Sequence, residues 1–588
     1  MRSGGNAVLA ALGILLAAAL VLGEGRFFWV GVLAVVCAAC VVGASLGGML
    51  PRPVLTRAGL VCLALFGAFA LWSASSILWS EAPNRSWDFF NRTFVYLAFL
   101  ALGLFVDRRR FADLLAGLVG LLVSWALVVK VFALDDGRRA RLNEPVGYWN
   151  TLGLVAAFGV PLALRLASRL AGALLLYGAV VAILLTQSRG GLLLATLAGA
   201  GWLVLERSRY EPALRLAISV PPALVVGVFG LSFDGIVEDG QPHSERLSAG
   251  LWLGLGLVLG AAVVVGLAQR EVAWPLLRRA AWVVVPLGAA AFLFFGVRAA
   301  LDFTDPVTPE SPTRFTEGSG NNRAQWWEEA ARGFADNPVV GNGAGAFQVT
   351  HRRYRESNVE VREPHSVPLQ LASETGLVGL ALFAGAVVAA ALAVRRDERA
   401  LLFVVALFGV GVLYDIHWDF MAAGAVAFAT LGALLARGWR EGGRETLWAA
   451  GVVALGLAGV YSLAAPWLAE RRIDDAYRAI NRRDLALAAD NARQARTLNP
   501  TSVEPLFALG FIQDALGQFD GARDYYARAT EVQPENRETW YLLGRLEYDV
   551  KRYEDAYVRF NRMYALDPHG PHVEWVEMAR CKVNPTGC

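Results

Sequence analysis

The 588-residue chain is 56% hydrophobic and 18% charged, with a formal net charge of +3. Such apolar content argues against a soluble protein of several domains. The small net charge, without a concentrated basic stripe, argues against nucleic acid as a partner. Residues 7–23, 31–48 and 58–75 are nearly free of charge. Each is long enough, or nearly so, to cross a hydrocarbon core, and the same criterion along the chain gives about 14–15 candidate spans. The expectation is an all-α protein, a polytopic transmembrane helical bundle.

The N-terminus has a basic residue, Arg2, ahead of an apolar core, as a secretory signal does, but a second span follows directly. It reads as a retained first helix. Cys37, Cys40 and Cys62 fall in predicted spans, where small buried thiols are ordinary. Cys581 and Cys588 lie in a polar tail and can pair if that tail is outside the cytoplasm. Residues 170–205 are apolar except for Gln187-Ser188-Arg189-Gly190-Gly191. They are too long for one span and read as a helical hairpin turning at the glycines.

With the N-terminus in the cytoplasm, the loops carrying Arg52/Arg57, Arg108–Arg110, Arg165/Arg169, Arg395/Arg396/Arg399 and Arg437/Arg440/Arg444 become internal. That is the positive-inside pattern. Residues 77–92, 134–147, the long polar loop 301–366 and the tail after 467 then face outward. The expected division is a membrane domain, 1–466, and an extracytoplasmic repeat domain, 467–588.

In that tail Pro500, Pro534 and Pro568 are spaced by 34 residues, in Leu-Asn-Pro, Val-Gln-Pro and Leu-Asp-Pro contexts. The period marks the tetratricopeptide repeat. Leu506, Leu509, Gly510, Ala522, Tyr526 and Ala529 occupy the packing positions of one unit; Trp540, Leu543, Gly544, Ala556 and Phe560 those of the next. The first unit is degenerate and reads as a cap continuing the last span. Functionally the array is either a protein-binding scaffold or a helical cap.

The external loop holds the candidate chemistry. Arg323, Trp327, Ala330 and Phe334 recur at helical spacing. Such a helix suits the lipid interface, and an arginine at its positive end favours phosphate; the alternative is a surface helix with a snorkelling arginine. The glycines of Asn337-Pro338-Val339-Val340-Gly341-Asn342-Gly343-Ala344-Gly345 resemble a phosphate cradle, but no Gly-Lys-Ser/Thr follows, and a tight turn is the better reading. His365 stands at the mouth of the next span, as a general base, an oxyanion donor or a water-boundary residue. Arg189, a charge amid apolar sequence, is expected to face a polar cavity. The remaining histidines have no metal-ligand spacing.

The order of these elements resembles the O-antigen ligase and polymerase family. The resemblance runs through Leu78-Trp79-Ser80, Pro145-Val146-Gly147-Tyr148-Trp149-Asn150, Gln187-Ser188-Arg189-Gly190, Arg323 and Trp327, Asn337-Pro338…Gly341-Asn342-Gly343…Phe347, and His365-Ser366…Gln370…Glu374…Gly376…Gly379. It implies a metal-independent, cofactor-free, inverting glycosyltransferase of the cytoplasmic membrane. The donor would be a glycan on an undecaprenyl-type pyrophosphate lipid, and the acceptor a lipid, glycan or protein. The family's two arginines and histidine map onto Arg189, Arg323 and His365. Arg141, Trp327 and Ser366 are further candidates for substrate contact; Ser366 stands where the family most often has asparagine. Ligation, repeat-unit polymerisation and protein O-glycosylation share this chemistry. From another class, a transporter or non-catalytic envelope assembly factor would place its charges at mid-membrane depth.

Overall fold

The computed structural model describes residues 2–22, 27–137, 139–206, 208–270, 275 and 322–587. Residues 301–321 of the long loop, and the expected span before it, lie outside the described residues. Among those described, eight helices are long and apolar enough to cross a membrane: Phe27–Leu46, Arg57–Leu78, Arg108–Val131, Arg169–Thr186, Tyr210–Gly230, His243–Ala268, Val367–Ala393 and Thr446–Asn481. Four shorter apolar helices accompany them: Gly5–Val21, Arg189–Leu205, Arg399–Gly411 and Met421–Leu435. The chain is a multi-pass membrane protein. Extended structure among the described residues is a two-residue antiparallel pair, Arg52–Pro53 with Trp439–Arg440.

Packing divides the chain into two compact units. The first comprises Met1–Leu60, Val95–Ala324 and Ala389–Val453. Its centre is the helix Trp149–Arg165, buried on every side from Thr151 to Leu164. Small residues let its neighbours close in. A Cβ on Gly191 would lie 3.1 Å from the Cα of Gly153, so the helix Arg189–Leu205 touches the central one backbone to backbone. The Gly103 and Gly432 positions meet the carbonyls of Ala429 and Leu100 in the same way.

The apolar stretch 170–205 does break into two helices, but not at the glycines. Gln187 takes a left-handed conformation (φ 51°), and Ser188 caps the second helix, its Oγ accepting from the Gly191 N–H at 3.0 Å. Gly190 and Gly191 belong to that helix's first turn. A serine N-cap satisfies an orphan amide, so the break falls where the cap is. Both helices pack on Trp149–Arg165, and the first as much on Tyr210–Gly230, far more than on each other.

The second unit comprises Val61–Phe94, Gln325–Val388 and Ala454–Cys588. Its C-terminal part is the repeat array, with helices Leu485–Leu498, Glu504–Ala515, Phe519–Val532, Arg537–Asp549 and Tyr553–Leu566. Gly510 lies against the Tyr526 ring, and a Cβ on Gly544 would come 2.9 Å from that of Phe560. These are the small-against-aromatic contacts that the 34-residue period anticipates. The degenerate first unit still packs, through Ala476, Ala492, Ala508 and Leu509. Its first helix is the continuation of Thr446–Asn481, unbroken past Pro466. Cys581 is disulfide-bonded, whereas Cys588 lies outside the described residues.

Candidate functional site

In the first unit, Arg141, Arg189 and Arg323 line one narrow pocket together with Trp149, Asn150, Gln187, Gly190, Tyr414 and Asp415. Arg189 opens the helix Arg189–Leu205 and Arg323 opens Arg323–Asp336. Each charge therefore stands at a helix N-terminus, where the backbone dipole adds to its attraction for an anion. The Arg141 guanidinium lies 4.9 Å from the centre of the Trp149 ring, which fixes its plane by cation–π contact.

The organising group is Asp415, a residue that local sequence does not single out. Its side chain is 2% exposed. One oxygen accepts from Tyr148 Oη at 2.9 Å and from the Ile416 N–H at 2.8 Å. The other accepts from Asn150 Nδ2 and Arg323 Nη2, both at 2.8 Å. Asn150 also donates to Tyr148 Oη at 2.8 Å, and the Tyr148 ring stacks on Phe420 at 5.0 Å. Buried carboxylates persist when their lone pairs are filled in this way. Three guanidiniums against one carboxylate leave a site with surplus positive charge.

In the second unit, His365 adopts a left-handed conformation (φ 55°), and its ring faces that of Trp326, with centres 4.8 Å apart and planes inclined by 30°. His365 Nδ1 lies 3.1 Å from the Glu363 carbonyl. A carbonyl only accepts, so that contact places a proton on Nδ1. Ser366 is buried, and its carbonyl accepts the Gln370 N–H at 2.9 Å as the helix Val367–Ala393 begins. Trp327 is half-buried on the helix Arg323–Asp336.

The glycine-rich loop is filled by the chain's own anion. Glu374 accepts from the Gly345 N–H at 2.8 Å and from the Phe347 N–H at 3.1 Å. The Gly343 N–H reaches the Glu374 carbonyl at 2.9 Å, and the Leu377 N–H reaches that of Pro338 at 2.9 Å. Gly341, Gly343 and Gly345 all have positive φ, and Gly343 presses against Ser80. The Leu78-Trp79-Ser80, Asn337–Gly345 and Gln370–Gly376 motifs thus converge on one scaffold. Nearby, burial pushes the Glu81 carboxyl above its ordinary range, against the opposing pull of Arg353. Among the described residues, no group of three or more His, Cys, Asp or Glu side chains is placed to hold a metal ion.

The O-Antigen ligase family pattern matches residues 246–384, the stretch that holds Arg323, Trp327, His365 and Ser366. The chain carries an O-antigen ligase domain. A tetratricopeptide repeat pattern matches residues 504–546. In addition, a UDP-N-acetylglucosamine--peptide N-acetylglucosaminyltransferase of Giardia intestinalis (strain ATCC 50803 / WB clone C6) is 33% identical over 86 residues, 15% of this chain and 6% of that protein. The chain therefore spans a small fraction of that relative. Arg141 and Arg189 precede the segment matched to the O-antigen ligase domain, and in the first unit they share a pocket with Arg323 from inside it.

Proposed function

We propose that this O-antigen ligase-domain protein transfers a glycan from an undecaprenyl-type pyrophosphate lipid to an acceptor hydroxyl, on the outer face of the cytoplasmic membrane. The observation that carries the reading is the pocket of Arg141, Arg189 and Arg323 anchored by Asp415. Three guanidiniums less one carboxylate match the two negative charges of a pyrophosphate diester. Arginine forks bind phosphate oxygens bidentately and stabilise the charge that develops on the leaving group, which supplies the electrostatic work without a metal. His365 takes the acceptor hydroxyl's proton as the general base. The acceptor oxygen bonds to the anomeric carbon as the bond from that carbon to the pyrophosphate oxygen breaks, with inversion. The lipid pyrophosphate departs as the anion held by the arginines.

In this proposal the chain divides into a membrane domain, 1–466, and a repeat domain, 467–588; the N-terminus is cytoplasmic, while the loop 301–366 and the repeat domain are extracytoplasmic. Trp327 and Ser366 contact substrate. The purified protein is given a lipid-pyrophosphate glycan and, in separate reactions, lipid, glycan and protein acceptors. Transfer that persists with chelator and disappears in His365→Ala and Arg323→Ala supports the proposal. Full transfer by both folded variants overturns the site assignment.

A further inference from the structure

Within the second unit, the repeat array is bonded to the loop segment that carries His365. Arg355, just past the short helix Phe347–Tyr354, donates from Nε and Nη2 to the two oxygens of Asp567, at 2.9 and 2.8 Å. The two side chains are 2% and 1% exposed. Asp567 is the aspartate of the Leu-Asp-Pro that closes the third repeat. Arg537, from the same repeat, stands 3.4 Å from that carboxylate and donates to the Pro571 carbonyl. Arg353 adds a second tie, reaching Glu81 at 2.7 Å and Glu535 at 3.3 Å, and Gln533 donates to Asn84 at 3.0 Å.

The chain of contacts continues inward. From the helix Phe347–Tyr354, the buried His351 ring bridges Glu329 Oε2 (2.6 Å, through Nδ1) and the Val359 carbonyl (2.9 Å, through Nε2). Glu329, also buried, lies on the helix whose Trp326 ring packs on His365. Exposed ion pairs would tether the array loosely, because solvent competes for each partner. A buried bidentate pair is different: it holds only while both groups keep their geometry, and losing one strands the other charge.

The geometry points to the repeat array as a positioning element for His365, with Asp567 and Arg355 as the positioning residues. This rests on His365 acting as the base of the proposed transfer. The array sets the placement of the loop that presents His365, in addition to any partner it binds.

The test uses full-length protein with Asp567→Asn, Arg355→Gln, the milder Arg355→Lys and, as a control, the exposed Asp555→Asn. Donor kinetics are measured alongside the rate at which diethyl pyrocarbonate modifies His365, read by mass spectrometry. Misplacing a reacting group by about 1 Å costs on the order of a hundredfold, so kcat is expected to fall steeply in Asp567→Asn and Arg355→Gln, with donor KM nearly unchanged. His365 modification should change in the same variants, Arg355→Lys should be intermediate, and Asp555→Asn should match the parent. Unchanged kcat and unchanged His365 reactivity in folded Asp567→Asn overturn the inference, as does an effect confined to donor KM. Should Asp567→Asn and Arg355→Gln fail to fold, Arg355→Lys decides by the same two readouts. If the parent protein transfers nothing, the proposed function fails, and the modification rates alone still decide whether the array positions His365.

Discussion

Arg323 and Asp415 are joined across 2.8 Å, and the same carboxylate oxygen accepts a second bond from Asn150. The arginine's direction is therefore set by a residue far away in sequence. Asp415→Asn keeps the shape and removes the charge that anchors the fork. It also adds one net positive charge to the pocket. If simple attraction for an anion governed the reaction, this variant would be as good as the parent or better. Placement is expected to govern instead, and transfer should fall on the order of a hundredfold while the protein stays folded. Steady-state kinetics with the lipid-linked donor check this, and a rate within about twofold of the parent would sink it.

Arg189 is tested by a change that keeps its charge. Arg189→Lys retains a cation at the N-terminus of Arg189–Leu205 but replaces the planar fork with a point charge. A loss of about tenfold or more in kcat/KM for the donor is expected, with Arg189→Ala losing more. Equal kcat/KM for Lys and Arg at this position would mean that charge alone suffices there.

The parts of this molecule that were legible in the sequence are those encoded locally. Proline spacing and glycine–aromatic pairs announced the repeats, because each unit's packing is written within 34 residues. Hydropathy announced the spans. Arg189, Arg323 and His365 stood out as charged or polar residues at apolar boundaries. Asp415 did not, in Tyr414-Asp415-Ile416-His417-Trp418-Asp419, although an acid between two apolar helices is a signal that could have found it. Its partners Tyr148 and Asn150 are 267 and 265 residues away, so its role depends on tertiary placement. The hairpin break was displaced from the glycines because a serine cap outweighs glycine's freedom. The glycine loop does form a tight turn, but its stabilising anion, Glu374, comes from the helix Val367–Ala393, beyond the next one in the chain.

That anion makes Glu374→Gln informative. The carboxylate spans the Gly345 and Phe347 amides with one oxygen each. A glutamine supplies one carbonyl oxygen and turns an NH2 toward the other donor. Hydrogen bonds to a charged group contribute about 1.5–3 kcal/mol each, so one lost bond should lower stability by about that amount. Thermal unfolding in detergent is expected to show the drop, together with lost transfer, because this loop leads into the helix Phe347–Tyr354. An unchanged midpoint would show that the loop holds its turn without the carboxylate.

Two glycine-to-alanine changes should behave oppositely. Gly376 has φ 64° and ψ −168°, a conformation in practice limited to glycine, and its missing side chain is the space occupied by the Val339 carbonyl. Its kink lets the Leu377 and Val378 amides reach the Pro338 and Val339 carbonyls, at 2.9 and 3.3 Å. Gly376→Ala is expected to cost about 1–3 kcal/mol from backbone strain, before any loss of those bonds. Gly67 lies inside the helix Arg57–Ser75, and a Cβ added there would meet nothing within 4 Å, so alanine finds no obstacle. Alanine is the better helix former, by about 0.8–1.0 kcal/mol, and Gly67→Ala should raise the unfolding midpoint or leave it unchanged. Parallel thermal unfolding of the two variants checks both signs. A stable Gly376→Ala would show that the helix can straighten, and that the glycine loop does not depend on this kink.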